Sequence, residues 1–154
     1  MEKVFSKEKT SSNSHFNWRD TEIWRQSAWN TAWCLLGCVI GDFGTILWFQ
    51  LYSPETSTLI VMSLAVINGI LSSIALETAI LSRQMGLLLG FKTAVGMSLV
   101  SMVSMEIAMN LTDFVLVGRA QLVWWAIPPM LIAGFITPWP YNYWRLKKLG
   151  KACH

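Results

Sequence analysis

Cys34, Cys38 and Asp42 are the residues whose types and spacing first suggest chemistry, because they lie inside an apolar stretch from 29 to 50. They stand four residues apart and therefore share one stripe of a helix. A carboxylate in hydrocarbon costs about 3 kcal/mol on insertion scales, and an ionisable residue there indicates function. The stretch predicts a site within a membrane-spanning helix.

A second set of polar residues lies in the apolar stretch from 93 to 117. Glu106, Asn110 and Asp113 follow one another at helical spacing and form one stripe. Counted at about 1.5 Å per residue from the expected cytoplasmic end, Asp42 and Glu106 each lie about 20 Å along their helices. We therefore predict that these two carboxyl groups share a level and face each other or a common cavity.

Two chemistries fit these residues. Thiols and thioethers mixed with carboxylates would bind copper(I) or zinc, and the candidate metal ligands are Cys34, Cys38, Met102 and Met105. Alternatively, paired acids in a low dielectric would share a proton, as in a relay. Cysteine and methionine also fill gaps in apolar cores, so the sulfur groups are open to a packing role. The acids carry the functional prediction, with hydrogen bonding between helices as their structural alternative.

Glu77 lies in a further apolar stretch, from 59 to 81, on the same helical face as two small residues. Small residues four apart allow helices to approach closely in lipid, so this face should point into the bundle. The predicted packing positions are Gly37, Gly41, Gly69 and Ser73. Glu77 is therefore a candidate for binding or transport, with an ion pair to Arg25 or Arg83 as its simpler role.

The elements that position these residues are predicted from composition. The chain has 154 residues, of which 53% are hydrophobic and 14% charged, and this excludes an ordinary soluble domain. We predict an all-α integral membrane protein, a four-transmembrane-helix bundle with spans at about 28–51, 59–81, 93–117 and 122–138. Pro128 and Pro129 predict a kink in the fourth span. The net charge of +3 indicates lipid contact and implies no nucleic-acid partner.

The flanking segments predict the orientation. Residues 1–27 are expected to be a cytoplasmic tail and an interfacial segment, and residues 140–154 a basic cytoplasmic tail. Lysine and arginine concentrate at both ends and in the second connector, so both termini should be cytoplasmic. His15 and His154 are expected to be solvated tail residues, and Asp113, near the outer face, has water or Arg119 as its simplest partner.

No catalytic grouping is found, because no histidine lies within a span and no phosphate-binding loop or nucleophile arrangement occurs. An enzyme is therefore not expected. The first hypothesis is a multi-pass protein that transports or senses a proton or a soft metal ion. The alternative is a non-catalytic accessory subunit of a larger membrane complex. Beyond the lipid bilayer, the partners implied are further copies of the chain or that complex.

Three stretches carry a resemblance: WCLLGCVIGDFGT, SLVSMVSMEIAMNLTDFVL and PYNYWRLKKLGK. The chain resembles domain of unknown function 4396, a bacterial family of four-helix membrane proteins, and this resemblance implies the bacterial inner (cytoplasmic) membrane. The positions that match its pattern are Cys34, Gly37, Cys38, Gly41, Asp42, Met105, Glu106, Asn110, Pro140 and Asn142. Trp33 stands where the family usually has a histidine, which argues against a histidine-dependent metal site in this chain.

Overall fold

The computed structural model describes residues 18–149, and within them it contains helices and no strand. The five helices are α1 (Thr21–Tyr52), α2 (Thr58–Met85), α3 (Leu87–Val117), α4 (Ile127–Ile136) and α5 (Trp139–Leu149). The predicted all-α fold class is confirmed. The predictions for the N-terminal tail up to residue 17, and for residues 150–154 including His154, lie outside the described residues.

Three helices are long and apolar enough to cross a membrane, as in a membrane protein. They are Thr21–Tyr52, Thr58–Met85 and, within α3, Ser98–Val117. Each contains most of one predicted span. α1 begins seven residues before the expected start at 28, so the segment predicted to lie at the interface is partly the first two turns of α1.

Glycines end two of these helices. Gly86 separates α2 from α3 with a φ of +86°, and Gly118 ends α3 with a φ of +80°. Both angles lie in the region that a glycine adopts without steric cost. The chain therefore reverses sharply after α2, and Gly90 at the start of α3 packs against the backbone of Ser82.

The segment from Leu122 to Trp139 runs the length of the bundle. At one end, the Leu122 backbone N–H donates to the side chain of Gln50 at 3.1 Å. At the other end, the Trp139 indole N–H donates to the Ser27 hydroxyl at 3.1 Å. Since Ser27 and Gln50 lie near opposite ends of α1, this segment passes the full height of α1, although α4 itself has ten residues.

The prediction of a kink at Pro128 and Pro129 is wrong. α4 begins at Ile127, so both prolines lie in its first turn. Backbone N–H groups in a first turn have no partner within the helix, and proline therefore removes no hydrogen bond there. α4 ends at Ile136, and two turn residues, Thr137 and Pro138, separate it from α5.

α5 occupies much of the segment that was predicted to be a basic tail. Tyr143 is wholly buried and stacks on Trp24 of α1, with ring centroids 4.1 Å apart. The Asn142 amide donates to the Thr31 hydroxyl of α1 at 2.8 Å. α5 is therefore packed across the beginning of α1, at the same end of the bundle as the turn between α2 and α3.

The bundle buries many polar side chains beside its apolar core and exposes many large apolar side chains. Every leucine of α3 is exposed, at 39–76% of its surface. The buried polar side chains include Asp42, Glu77, Glu106, Asn110, Asp113 and Arg145. Exposed leucines suit lipid contact, whereas buried acids require the interior of a bundle. This arrangement brings the predicted site residues together.

Candidate functional site

The site is built by one stripe on α1 and one on α3. Cys34, Cys38 and Asp42 are 0–3% exposed and stand one helical turn apart. On α3, Glu106 and Asp113 are wholly buried. Both acids of the predicted pair, Asp42 and Glu106, therefore lie inside the bundle and away from lipid.

Asn110 connects the two stripes. Its side-chain amide donates to the Asp42 carboxyl at 3.0 Å and to the backbone carbonyl of Glu106 at 3.1 Å. The second oxygen of Asp42 has no hydrogen-bond partner within residues 18–149. Asn110 thus fixes one oxygen of Asp42.

Glu106 lies one turn below Asn110 in the middle of the bundle. Its carboxyl group packs directly against the Cα of Gly69 on α2, where any larger side chain would overlap it. The Cys38 thiol and the Asp42 carboxyl are its polar neighbours. Among the described residues, neither Glu106 oxygen accepts a hydrogen bond of regular geometry. Glu106 is therefore enclosed, and the donor that faces it is the weakly donating Cys38 thiol.

Asp113 lies toward the end of the bundle that holds the connectors after α1 and α3. It accepts a hydrogen bond from the backbone N–H of Gln121 at 3.2 Å. The Arg119 guanidinium binds the Gln121 side chain at 2.7 Å. Arg119, which the sequence suggested as a partner of Asp113, therefore binds the side chain of Gln121. Asp113 is bound by the backbone N–H of that same glutamine.

Glu77 lies toward the other end, with an exposure of 1%. Its neighbours are Ser98 of α3, Cys34 of α1 and the Arg145 guanidinium of α5. The arginine partners suggested by the sequence, Arg25 and Arg83, are exposed. The charge facing Glu77 comes instead from α5, which the sequence had placed in a tail.

Five sulfur-containing side chains form one buried cluster between α1 and α3: Cys34, Cys38, Met102, Met105 and Met109. The Cys34 thiol also lies 3.6 Å from the Ser73 hydroxyl. Within residues 18–149, no three His, Cys, Asp or Glu side chains are grouped closely enough to hold a metal ion. Any soft-metal site here would therefore depend on the methionine thioethers.

Small residues set the distances between these helices. A Cβ atom at Gly37 would lie 2.6 Å from the Cα of Ser73, and one at Gly41 would overlap the backbone of Asn68. α1 and α2 are thus in backbone contact along the predicted packing positions. A further close contact, which the sequence did not suggest, joins Gly134 of α4 to Met109.

The burial of several polar residues was not predicted from the sequence. Asn142 and Arg145 are 4–5% exposed, and Ser27 and Thr31 are wholly buried. Pro138 is also buried, so these α5 residues follow one helical stripe, at i, i+4 and i+7 from Pro138. That spacing indicates a buried helical face, but the basic and aromatic residues around it are typical of a tail.

The family profile of Domain of unknown function (DUF4396) matches residues 23–151. The chain belongs to this family. The match covers all five helices apart from the first two residues of α1, so the DUF4396 assignment includes α5. No curated protein and no solved structure matches the chain. In this member of DUF4396, Trp33 packs edge to face on Trp29, with ring centroids 6.0 Å apart.

Proposed function

We propose that this protein moves protons across a membrane through the buried carboxyl groups of Asp113, Asp42, Glu106 and Glu77. The observation that carries the proposal is the environment of Glu106. A structural carboxyl is normally held by hydrogen-bond donors. Glu106 is wholly buried, and within the described residues the donor that faces it is the Cys38 thiol, which donates only weakly. A carboxyl group held by one weak donor can exchange its proton more readily than one fixed by several strong donors.

The four acids follow one another along the bundle. On α3, Asp113 stands about 10 Å above Glu106, and the Asp42–Asn110 pair lies between them. The pair divides this interval into steps of about 5 Å, which a rotated side chain or one water molecule can bridge. Below Glu106, the interval to Glu77 contains the Cys38 and Cys34 thiols and the Ser73 hydroxyl. We refer to this series, from Asp113 to Glu77, as the carboxyl column.

The same proposal includes four membrane crossings with both termini in the cytoplasm of a bacterium. The fourth crossing is the segment 122–139, which passes the height of α1. The basic residues near the beginning of α1, the turn after α2 and α5 support the orientation: Arg19, Arg25, Arg83, Lys92, Arg145, Lys147 and Lys148. At the opposite end, the described connectors contain Arg119. No chemical reaction beyond proton transfer is proposed.

The proposal is tested with purified protein in liposomes that contain a trapped pH indicator and an imposed potassium diffusion potential. We expect the wild-type protein to acidify the interior faster than protein-free liposomes do. Glu106→Gln should abolish this flux, because an amide cannot release a proton. Glu55→Gln is the matched control, since Glu55 is exposed in the connector after α1. Equal proton flux from the wild type and Glu106→Gln would contradict the proposal and leave the accessory subunit as the remaining hypothesis.

A soft metal ion is the second candidate cargo. On α3, the large buried apolar side chains are Met102, Met105 and Met109, whereas every leucine is exposed. Leucine would fill the same space, so methionine at all three positions supports thioether ligation of copper(I). Copper(I) titration against a chromophoric chelator under anaerobic conditions separates this candidate from the first, because a purely proton-conducting protein would not compete with the chelator.

A further inference from the structure

A groove of about 610 Å³ lies at the beginning of α1, where the end of α4 packs beside it. Its volume falls within the range of small-molecule sites. Glu22, Arg25, Trp29 and Ala32 line it along one face of α1, at i, i+3, i+7 and i+10, and Phe135 of α4 contributes the opposite wall. The groove is separate from the carboxyl column and shares none of its residues.

The lining changes from charged to apolar along about 15 Å of α1. Glu22, Arg25 and Gln26 form the polar end, and all three side chains are exposed. Ala28 and Ala32 form a floor of small residues at the other end. A ligand that fits this gradient has a charged head and an apolar chain. A groove on the outer surface of a membrane helix receives such a ligand from the bilayer itself.

The two opposite charges at the polar end determine the head group. A guanidinium binds a phosphate with two parallel hydrogen bonds, so Arg25 suits the phosphodiester. Glu22 stands one turn earlier and suits a group that is cationic and donates hydrogen bonds. A primary ammonium does both, whereas a quaternary ammonium cannot donate and a glycerol head group carries no positive charge.

We propose that this groove binds one ethanolamine phospholipid. The phosphate contacts Arg25, the ammonium contacts Glu22, and an acyl chain follows the floor at Ala28 and Ala32 between Trp29 and Phe135. Tryptophan at this depth is typical of residues that hold a membrane protein at the head-group level, and Trp29 is 63% exposed. The proposal is independent of proton movement.

The test is native mass spectrometry of the full-length protein released from nanodiscs made with equal amounts of ethanolamine, choline and glycerol phospholipids. We expect one ethanolamine lipid to be retained in preference to the other two. Glu22→Ala should remove the preference over both other lipids, because it removes the acceptor and the negative charge together. Arg25→Gln should weaken retention of all three by about tenfold, since a hydrogen bond to a charged group is lost.

Ala32→Leu fills the floor of the groove and should lower retention without a change of charge. Arg83→Gln, which removes an exposed arginine at the same end of the bundle, is the matched control and should have no effect. Equal retention of the three lipids by the wild type would overturn the proposal. So would a second copy cross-linked in the groove, or lipid binding that appears after residues 1–17 are removed, since that segment would then be the occupant.

Discussion

The carboxyl group of Glu106 on α3 rests directly on the Cα of Gly69 on α2. This contact is possible because glycine has no Cβ, and it places an acid between two helices in the middle of the membrane-spanning region. The acid is therefore held mainly by shape. The donor that faces Glu106 is the Cys38 thiol, whereas Asp42 and Asp113 each accept a hydrogen bond from an amide N–H.

Gly69→Ala tests this contact. The added methyl group would overlap the Glu106 carboxyl, so we expect a loss of stability of about 1–3 kcal/mol, as in other overpacked cores, together with loss of proton flux. Gly44→Ala is the control, because a Cβ atom there meets no atom within 4 Å. Unfolding in mixed detergent measures the stability of both variants. Equal free energies of unfolding for the two alanine variants would contradict this close contact.

The Asp42–Asn110 hydrogen bond should couple α1 to α3. Asn110→Ala removes the donor, and we expect a loss of about 1–3 kcal/mol because the buried Asp42 oxygen is left without its partner. A double-mutant cycle with Asp42→Asn should give a coupling free energy of about 0.5–3 kcal/mol. Thr112→Ala serves as the control, since that hydroxyl bonds its own helix. Strictly additive losses would show that the bond contributes no coupling.

Cys38→Ser should separate the proton and metal candidates. A hydroxyl donates and accepts hydrogen bonds, so we expect proton flux to be nearly unchanged. A hydroxyl is a poor ligand for a soft ion, so copper(I) binding would be weakened if Cys38 were a ligand. Flux in liposomes and anaerobic copper(I) titration should both be measured in a Cys153→Ser background. Copper(I) binding that Cys38→Ser weakens, without proton flux from the wild type or the variant, would contradict the proton assignment.

The topology can be mapped with single cysteines at exposed positions. We expect an impermeant thiol reagent to label Glu55→Cys and Trp124→Cys from outside intact cells. Gln84→Cys and Lys148→Cys should react after the membrane is opened, because they lie at the end rich in basic residues. The background again carries Cys153→Ser, and Cys34 and Cys38 are buried. Labelling of Lys148→Cys in intact cells would contradict the fourth crossing.

The sequence was sufficient for α1, α2 and α3, because long apolar runs must form helices in lipid. It also predicted which faces of α1 and α3 point inward, since Asp42 and Glu106 cannot face hydrocarbon at low cost. The start of α4 could not be predicted, and the burial of α5 was missed. Proline has opposite effects in a first turn and in a helix interior, and only the start at Ile127 decides between them.

α5 shows why buried polar residues outside the long apolar runs are difficult to predict. Asn142 and Arg145 are buried because Thr31 and Glu77 lie opposite them, and those partners come from distant parts of the chain. A polar residue among lysines and tryptophans is typical of a tail or of an interface, so local composition favoured the wrong environment. The contact between Glu106 and Gly69 was hidden for the same reason, since it depends on the relative heights of α2 and α3.

The central claim is that the acids of the carboxyl column act in series. The most direct measurement is proton flux in liposomes for Asp42→Asn, Glu106→Gln and Glu77→Gln, each checked for helical content and a single elution peak. We predict that every one of these variants reduces flux to the level of protein-free liposomes, and that Glu55→Gln matches the wild type. Wild-type flux from a folded Asp42→Asn, Glu106→Gln or Glu77→Gln protein would contradict the claim that the acids act in series.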